Sequence, residues 1–373
     1  MSINASITNK VRVLVVDDSA LMRKLIPQML EADRSIEVVG TAMDGNFCLK
    51  KIEELKPNVV TLDLQMPGMN GIDTLKEIMR RQPLPVIVVS SHSTEGASIT
   101  FKALGLGAFD FVTKPQDATV HMADAARELI AKIKAAADCK VVRPGSVLAT
   151  PARPEKIASG KFALAPTKTV AIGISTGGPQ ALEFLLAQLP PDFPGTILIV
   201  QHMPSGFTEL FARRLDELSS LRVKEAQSGD VLQAGRVLVC PGSRHMTVKR
   251  LPMGDVVVLN DEAPVNGHRP SVDVLFHSVA EEFGRLGVGV LMTGMGDDGA
   301  QGLGEMKKAG GMTIAQNEES CVVFGMPKAA IERGYATRVV ALDVLSSTLQ
   351  ALCGRDNGHR ENDGAGKAFR AAR

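Results

Sequence analysis

Apolar positions in the first third of this chain fall into short blocks at 11–16, 36–40, 59–62, 86–89 and 109–112. Val, Ile and Leu occupy consecutive positions in them, the pattern of strands buried on both faces of a parallel sheet. Between the blocks, the stretches 20–31, 45–54, 71–80 and 98–104 space their apolar residues at helical intervals, and 121–136 does so after the last block. Strands and helices that alternate in this way predict one doubly wound α/β domain over 10–136.

The stretch 137–166 breaks the pattern. It carries Pro144, Pro151, Pro154 and Pro166 and no sustained period, which predicts an interdomain linker. A second α/β series follows. Its predicted strands are 169–174, 196–201, 237–240, 256–259, 288–292 and 312–315. Its predicted helices are 180–189, 206–219, 271–283, 302–309, 327–333 and 342–353. These imply a second domain over 167–353 with a mainly parallel sheet. The Gly-rich polar tail, 354–373, has the composition of a disordered segment.

Composition changes this picture little. In 373 residues, 45% apolar content is enough for two cores. A formal net charge of +1 argues against nucleic acid or an anionic membrane as the main partner. The first residues lack a secretory leader, and no apolar run reaches the length of a membrane span. The five cysteines are scattered without CxxC spacing and read as reduced thiols of a cytoplasmic protein.

Chemistry enters at the strand ends. Asp17 and Asp18 follow the first predicted strand and Asp63 the third, while Ser90 and Lys114 end the fourth and fifth. In a doubly wound sheet the crevice beyond the carboxyl ends of the strands is the ligand site. Three carboxylates gathered there repel one another unless a cation joins them, and oxygen-only ligation suits Mg²⁺. Singly, each is better read as a solvated loop residue; it is their arrival at one sheet edge that points to phosphoryl chemistry.

The segments VLVVDDSALMR, LDLQMPGMNG, VSSHS and FDFVTKP resemble the receiver domains of bacterial two-component response regulators. That resemblance implies Asp63 as the phosphorylated aspartate, with Asp17 and Asp18 completing an acidic Mg²⁺ pocket. Ser90 is then the switch hydroxyl, with Ser91 as an alternative, and Lys114 the charge partner. The implied phosphodonor is a histidine kinase.

In the second domain, Gly173-Ile174-Ser175-Thr176-Gly177-Gly178 follows the strand 169–174 and fits a G-x-S-x-G turn that presents a serine hydroxyl. Such a serine needs a neighbouring base. His202 follows the strand 196–201, with His245 and His268 as rivals. Asp297 and Asp298 follow the strand 288–292. A Ser…His…Asp order differs from that of α/β-hydrolases, but the triad is defined by geometry and not by order. Read alone, the glycine turn also suits a phosphate cradle, and the two aspartates suit a plain turn.

The segments AIGISTGGPQAL, IVQHMPSGFT, VCPGSRHM, HRPSVDVLF and LMTGMGDDGAQG resemble the protein-glutamate methylesterases of bacterial chemotaxis, the CheB type. The resemblance implies Ser175 as nucleophile, His202 as general base and acid, and Asp298 as the orienting carboxylate. Thr176, Gly177 and Met295 then border the oxyanion and substrate. The implied substrate is a glutamate γ-methyl ester on a chemoreceptor, with deamidation of glutamine as a second reaction and no cofactor in the esterase step. Phosphorylation of Asp63 is expected to relieve inhibition by the receiver. Two rival classes are a receiver-coupled transcription factor, which needs a helix-turn-helix and a basic face, and a non-catalytic nucleotide binder that uses the GISTGGP loop.

Overall fold

A computed structural model describes residues 10–91, 93–114, 122–138 and 165–354. The first series is β1 (Val11–Val16), α1 (Ala20–Leu30), β2 (Ile36–Ala42), α2 (Gly45–Leu55), β3 (Val59–Asp63), α3 (Gly71–Arg81), β4 (Val86–Ser90), α4 (Thr94–Gly105), β5 (Asp110–Thr113) and α5 (Met122–Asp138). The strands form one parallel sheet in the order β2-β1-β3-β4-β5. The apolar blocks are its strands; β3 and β4 are buried at every position, while the edge strand β2 is largely half-buried.

Polar residues set the helix starts. Asn70 accepts the Asp73 N–H at 2.9 Å, and Ser93 accepts the Gly96 N–H at 2.9 Å. The second cap explains why α4 begins at Thr94 and not at 98, where the apolar spacing first becomes regular.

The second series is β6 (Thr169–Ile174), α6 (Gly178–Ala187), β7 (Thr196–Gln201), α7 (Thr208–Leu218), β8 (Arg222–Glu225), β9 (Arg236–Val239), β10 (His245–Lys249), β11 (Val256–Asn260), α8 (Val272–Phe283), β12 (Gly287–Leu291), α9 (Ala300–Lys308), β13 (Met312–Gln316), α10 (Met326–Glu332), β14 (Arg338–Val340) and α11 (Leu342–Cys353). Seven strands form a parallel sheet in the order β14-β13-β12-β6-β7-β9-β8. Apolar blocks do not reveal β8 and β14, because each is a short edge strand whose side chains, Val223 apart, are exposed or half-buried. The predicted strand at 256–259 does not join this sheet. As β11 it pairs antiparallel with β10 in a separate hairpin, which docks on α8 where Ser278 Oγ accepts the Val248 N–H.

The two units share one apolar cluster. Phe111 of β5 stacks on Phe207 with ring centroids 4.9 Å apart, and Phe101 of α4 stacks on Phe211 of α7 at 5.5 Å. Gln180 of α6 donates to the Ala108 carbonyl at 3.3 Å. The α4–β5 face of the first unit therefore lies on α6 and α7, and α6 is the helix that opens beside Ser175. Most of the expected linker and tail, 139–164 and 355–373, lies outside the described residues. Among the described residues no helix is long and apolar enough to cross a membrane.

Candidate active site

Each sheet has a crevice where its strand order turns back on itself, and candidate residues from the sequence stand at both. In the first sheet this point lies between β1 and β3. Asp17, Asp18 and Asp63 bring carboxylate oxygens within 4.8 Å of one another there, with Asp17 and Asp63 buried and Asp18 exposed. Lys114 Nζ donates to Asp63 Oδ2 at 2.8 Å and pairs with Asp17 Oδ2 at 3.0 Å. The second contact lacks hydrogen-bond direction, so Asp17 Oδ2 is buried without a hydrogen-bond partner. Burial raises the pKa of Asp17, partly countered by Lys114. Burial alone would lower that of Lys114, but Asp63 and Asp17 more than reverse this.

Ser90 is buried at the end of β4, where its Oγ accepts from Thr100 Oγ at 2.7 Å and lies 3.2 Å from the Gly96 carbonyl. Its hydroxyl thus faces α4. Ser91 turns elsewhere, to Gln65 and Ser93.

In the second sheet β6 lies between β7 and β12, and the candidates sit just past these three strands. Ser175 follows β6 in a turn held by the Ser175 N–H donating to the Thr293 carbonyl at 3.0 Å. The turn then passes through Gly177 at φ +76°, where a Cβ would meet Val322 at 2.5 Å. Only glycine combines that backbone with that close approach. Helix α6 opens there without a side-chain cap.

His202 follows β7, and its Nε2 lies 2.8 Å from Asp298 Oδ2. Facing a carboxylate, Nε2 carries the proton and Nδ1 keeps its lone pair. Nδ1 is buried with no hydrogen-bond partner among the described residues. Gln201 links base and serine through one amide group, whose Nε2 donates to the Ser175 carbonyl at 3.0 Å and the His202 carbonyl at 3.1 Å.

Asp298 is 1% exposed. Besides His202 it accepts from Ser271 Oγ at 2.7 Å, the Val272 N–H at 2.7 Å and the Asp273 N–H at 3.3 Å. Burial pushes its pKa up, but His202, Val272 and Ser271 outweigh burial and hold it at about 2. Its neighbour Asp297 points the other way, to an exposed ion pair with Arg333 at 2.6 Å. Met295 is half-buried and follows Gly294, where a Cβ would lie 2.8 Å from Ser175 Cβ.

The rival histidines have other partners. His245 is fully buried, accepts the Ser271 N–H on Nδ1 and meets the Ala263 carbonyl through Nε2, so both ring nitrogens are engaged. His268 stacks on His202, with centroids 3.9 Å apart and planes within 3°. Burial and the neighbouring His202 lower its pKa to about 4, which keeps it neutral. Burial pushes the Cys48 and Cys353 thiols up to about 12, so neither offers a thiolate at neutral pH.

Ser271, Thr293 and the Gln201 amide join the site without a signal at the predicted strand ends. Ser271 opens the predicted helix 271–283 and stands at the N-cap of α8, just beyond a cis Arg269–Pro270 bond, but its spacing gives no sign that its hydroxyl turns to Asp298. Gln201 is simply the last residue of the predicted strand 196–201, and spacing says nothing of its amide.

The two parallel sheets and their strand-end sites define a two-domain protein in which an acidic, lysine-bridged site precedes one where Ser175 and the His202–Asp298 pair stand beyond neighbouring strands. The response regulator receiver domain family matches residues 13–126, and the CheB methylesterase family matches residues 170–349. The protein-glutamate methylesterase/protein-glutamine glutaminase 2 of Koribacter versatilis is 61% identical over 352 residues, covering 92% of this chain and 96% of that one. The corresponding protein of Symbiobacterium thermophilum is 46% identical over 355 residues, with 92% and 97% covered. Among solved structures, the Thermotoga maritima CheB methylesterase catalytic domain is 41% identical with a TM-score of 0.49, spanning 51% of this chain and all of that one. The chain belongs to the receiver-linked CheB methylesterase family.

Proposed function

We propose that this chain hydrolyses glutamate γ-methyl esters on chemoreceptors, and deamidates glutamines there, under control of phosphorylation at Asp63. The observation that carries the reading is His202, whose Nε2 is fixed by an ionised Asp298 while its buried Nδ1 stays unpartnered. That is the state a general base needs before substrate arrives. In this reading Ser175 Oγ attacks the ester carbonyl and its proton passes to His202 Nδ1. Backbone N–H groups around Thr176, Gly177 and Met295 receive the oxyanion. His202 returns the proton to the departing methoxide, and methanol leaves. Water then attacks the acyl-enzyme, gives a proton to His202, and glutamate and the Ser175 hydroxyl are restored. With a glutamine substrate, ammonia leaves in place of methanol.

In the receiver, an oxygen-only donor set with one buried carboxylate oxygen that receives no hydrogen bond fits a hard divalent cation. Asp17, Asp18 and Asp63 would hold Mg²⁺, which would supply charge neutralisation for phosphoryl transfer from a histidine kinase. Phosphorylated Asp63 gains acceptor oxygens for Lys114 and Ser90. Drawing the Ser90 hydroxyl toward them removes its bond to Thr100 and frees α4, whose Phe101 lies on α7. Release of that face opens the Ser175 cleft to a receptor helix. The setting this implies is the cytoplasm, where receptor helices and kinase meet.

Replacement of Ser175 by Ala tests the reading, with methanol release from methylated receptor as the measurement. Loss of turnover in a folded protein supports it. Turnover at the parental rate sinks it and favours a binding role for the glycine turn.

A further inference from the structure

We infer that Gln201 and Thr293 are positioning residues that aim the Thr176 and Gly177 N–H groups at the oxyanion, by anchoring the carbonyls on the far side of the same two peptide units. The inference rests on the Ser175 reading above and deepens it. In a trans peptide the C=O and the N–H point in opposite directions, so fixing one fixes the other. The Ser175 carbonyl shares its peptide with the Thr176 N–H. That carbonyl is held by Gln201 Nε2 at 3.0 Å and by the Gly178 N–H at 2.8 Å. The Thr176 carbonyl shares its peptide with the Gly177 N–H, and Thr293 Oγ donates to it at 3.0 Å. Both carbonyls are therefore pulled into the protein, and two successive N–H groups are turned the other way. Neither N–H has a hydrogen-bond partner among the described residues.

Both anchors are buried, and Thr293 is itself held by further hydrogen bonds. Thr293 is fully buried and Gln201 is 3% exposed. Thr293 Oγ accepts the Val322 N–H at 3.1 Å and the Val323 N–H at 3.0 Å, which occupy its lone pairs. Its proton is left to donate, to the Thr176 carbonyl at 3.0 Å ahead of the Val323 carbonyl at 3.3 Å. The Thr293 carbonyl takes the Ser175 N–H, and the Thr293 N–H donates to buried Gln316 at 2.9 Å. One residue thus grips the nucleophile turn at two consecutive positions, from the strand-end loop that also carries Asp298. A donor aimed in advance lowers the barrier without reorganising during reaction.

The test compares Thr293→Val, Thr293→Ser and Gln201→Met in the full-length chain. It measures kcat and KM for a glutamyl methyl ester, inhibition by a boronic-acid analogue of the glutamate side chain, and thermal unfolding. Misaiming a donor costs less than the ~10²–10³ of losing one, so Thr293→Val is expected to lower kcat by about 10–100-fold with KM nearly unchanged. The boronate, whose adduct on Ser175 is tetrahedral, should weaken by a similar factor. Thr293→Ser keeps the hydroxyl and should recover most of both. If Thr293→Val does not fold, Gln201→Met decides by the same two readouts. Retention of kcat by the folded variants overturns the inference, as does an equal loss in Thr293→Ser, which would assign the effect to the methyl group. Parental turnover in Ser175→Ala would instead sink the underlying nucleophile reading, whatever Thr293 does.

Discussion

Asp17 and Asp298 are both buried carboxylates at the carboxyl end of a parallel sheet, yet the protein treats them in opposite ways. Asp17 has one backbone donor, the Ser19 N–H at 2.8 Å, and an ion pair with Lys114, and its second oxygen lacks a hydrogen bond. Burial prevails and its pKa rises. Asp298 has four donors on two oxygens, three of them from the chain segment 271–273, and they hold it at about 2. The number of fixed donors, and not depth, decides the sign of the shift. The receiver site is left short of positive charge, which suits a site that takes up a cation and a phosphoryl group. Asp298 has its donors in place before any ligand arrives, which suits an aspartate whose charge only steadies a histidine.

The sharpest break of this comparison is at Asp298. Asp298→Asn should lower the rate of methanol release by roughly 10⁴-fold, since an amide no longer holds the proton of His202 on Nε2. Asp297→Asn, in an exposed ion pair with Arg333, should change it little. Comparable losses in both would overturn the assignment. At the other crevice, Asp63→Asn should keep basal activity and lose the whole rise produced by a small-molecule phosphodonor with Mg²⁺. A rise that persists would place the phosphoryl group elsewhere.

Between the two sites, Phe101→Ala removes a ring stacked on Phe211 and set edge-on to Phe207. It should raise the activity of the unphosphorylated chain severalfold and shrink the further gain on phosphorylation. Unchanged basal activity would show that this face does not restrain the cleft.

Stability should report the contrast directly. Asp17 has a raised folded-state pKa, so its contribution is present at low pH and lost as pH rises through that value; Asp17→Asn should therefore raise the unfolding midpoint at neutral pH. Asp298 is depressed from about 3.8 to about 2, so its contribution of roughly 2 kcal/mol is present above the unfolded value and lost as pH falls toward 2. Urea titrations of each variant and the parent across pH check both signs. Neutral His268 should likewise cost stability as pH falls from about 6.5 to 4, where the unfolded chain protonates and the folded one does not. His268→Phe keeps a ring on His202 and should flatten that part of the curve.

Much of the fold is legible in the chain because strands buried on both faces must be apolar at every position. Strand β6 at Thr169–Ile174, β7 at Thr196–Gln201 and helix α11 at Leu342–Cys353 fall where the pattern puts them. The edge strands Arg222–Glu225 and Arg338–Val340 do not, since one solvated side frees them from that pattern. Glycine at 177 is likewise legible as a turn, but its need for φ +76° against Val322 is visible only once residues 145 positions apart in the chain are neighbours.

What the sequence determined by itself is therefore the list of strand-end groups: Asp17, Asp18, Asp63, Ser90 and Lys114 at one sheet, Ser175, His202 and the Asp297–Asp298 pair at the other. Periodicity locates strand ends, and parallel sheets gather strand ends at one edge, so local pattern suffices for that much. Only the tertiary structure decided which aspartate faces His202, which nitrogen of that ring is left free, and that the α4–β5 face rests on α6 and α7. Those outcomes depend on directions set by distant residues such as Ser271, Thr293 and Phe207, and direction is not encoded in spacing along the chain.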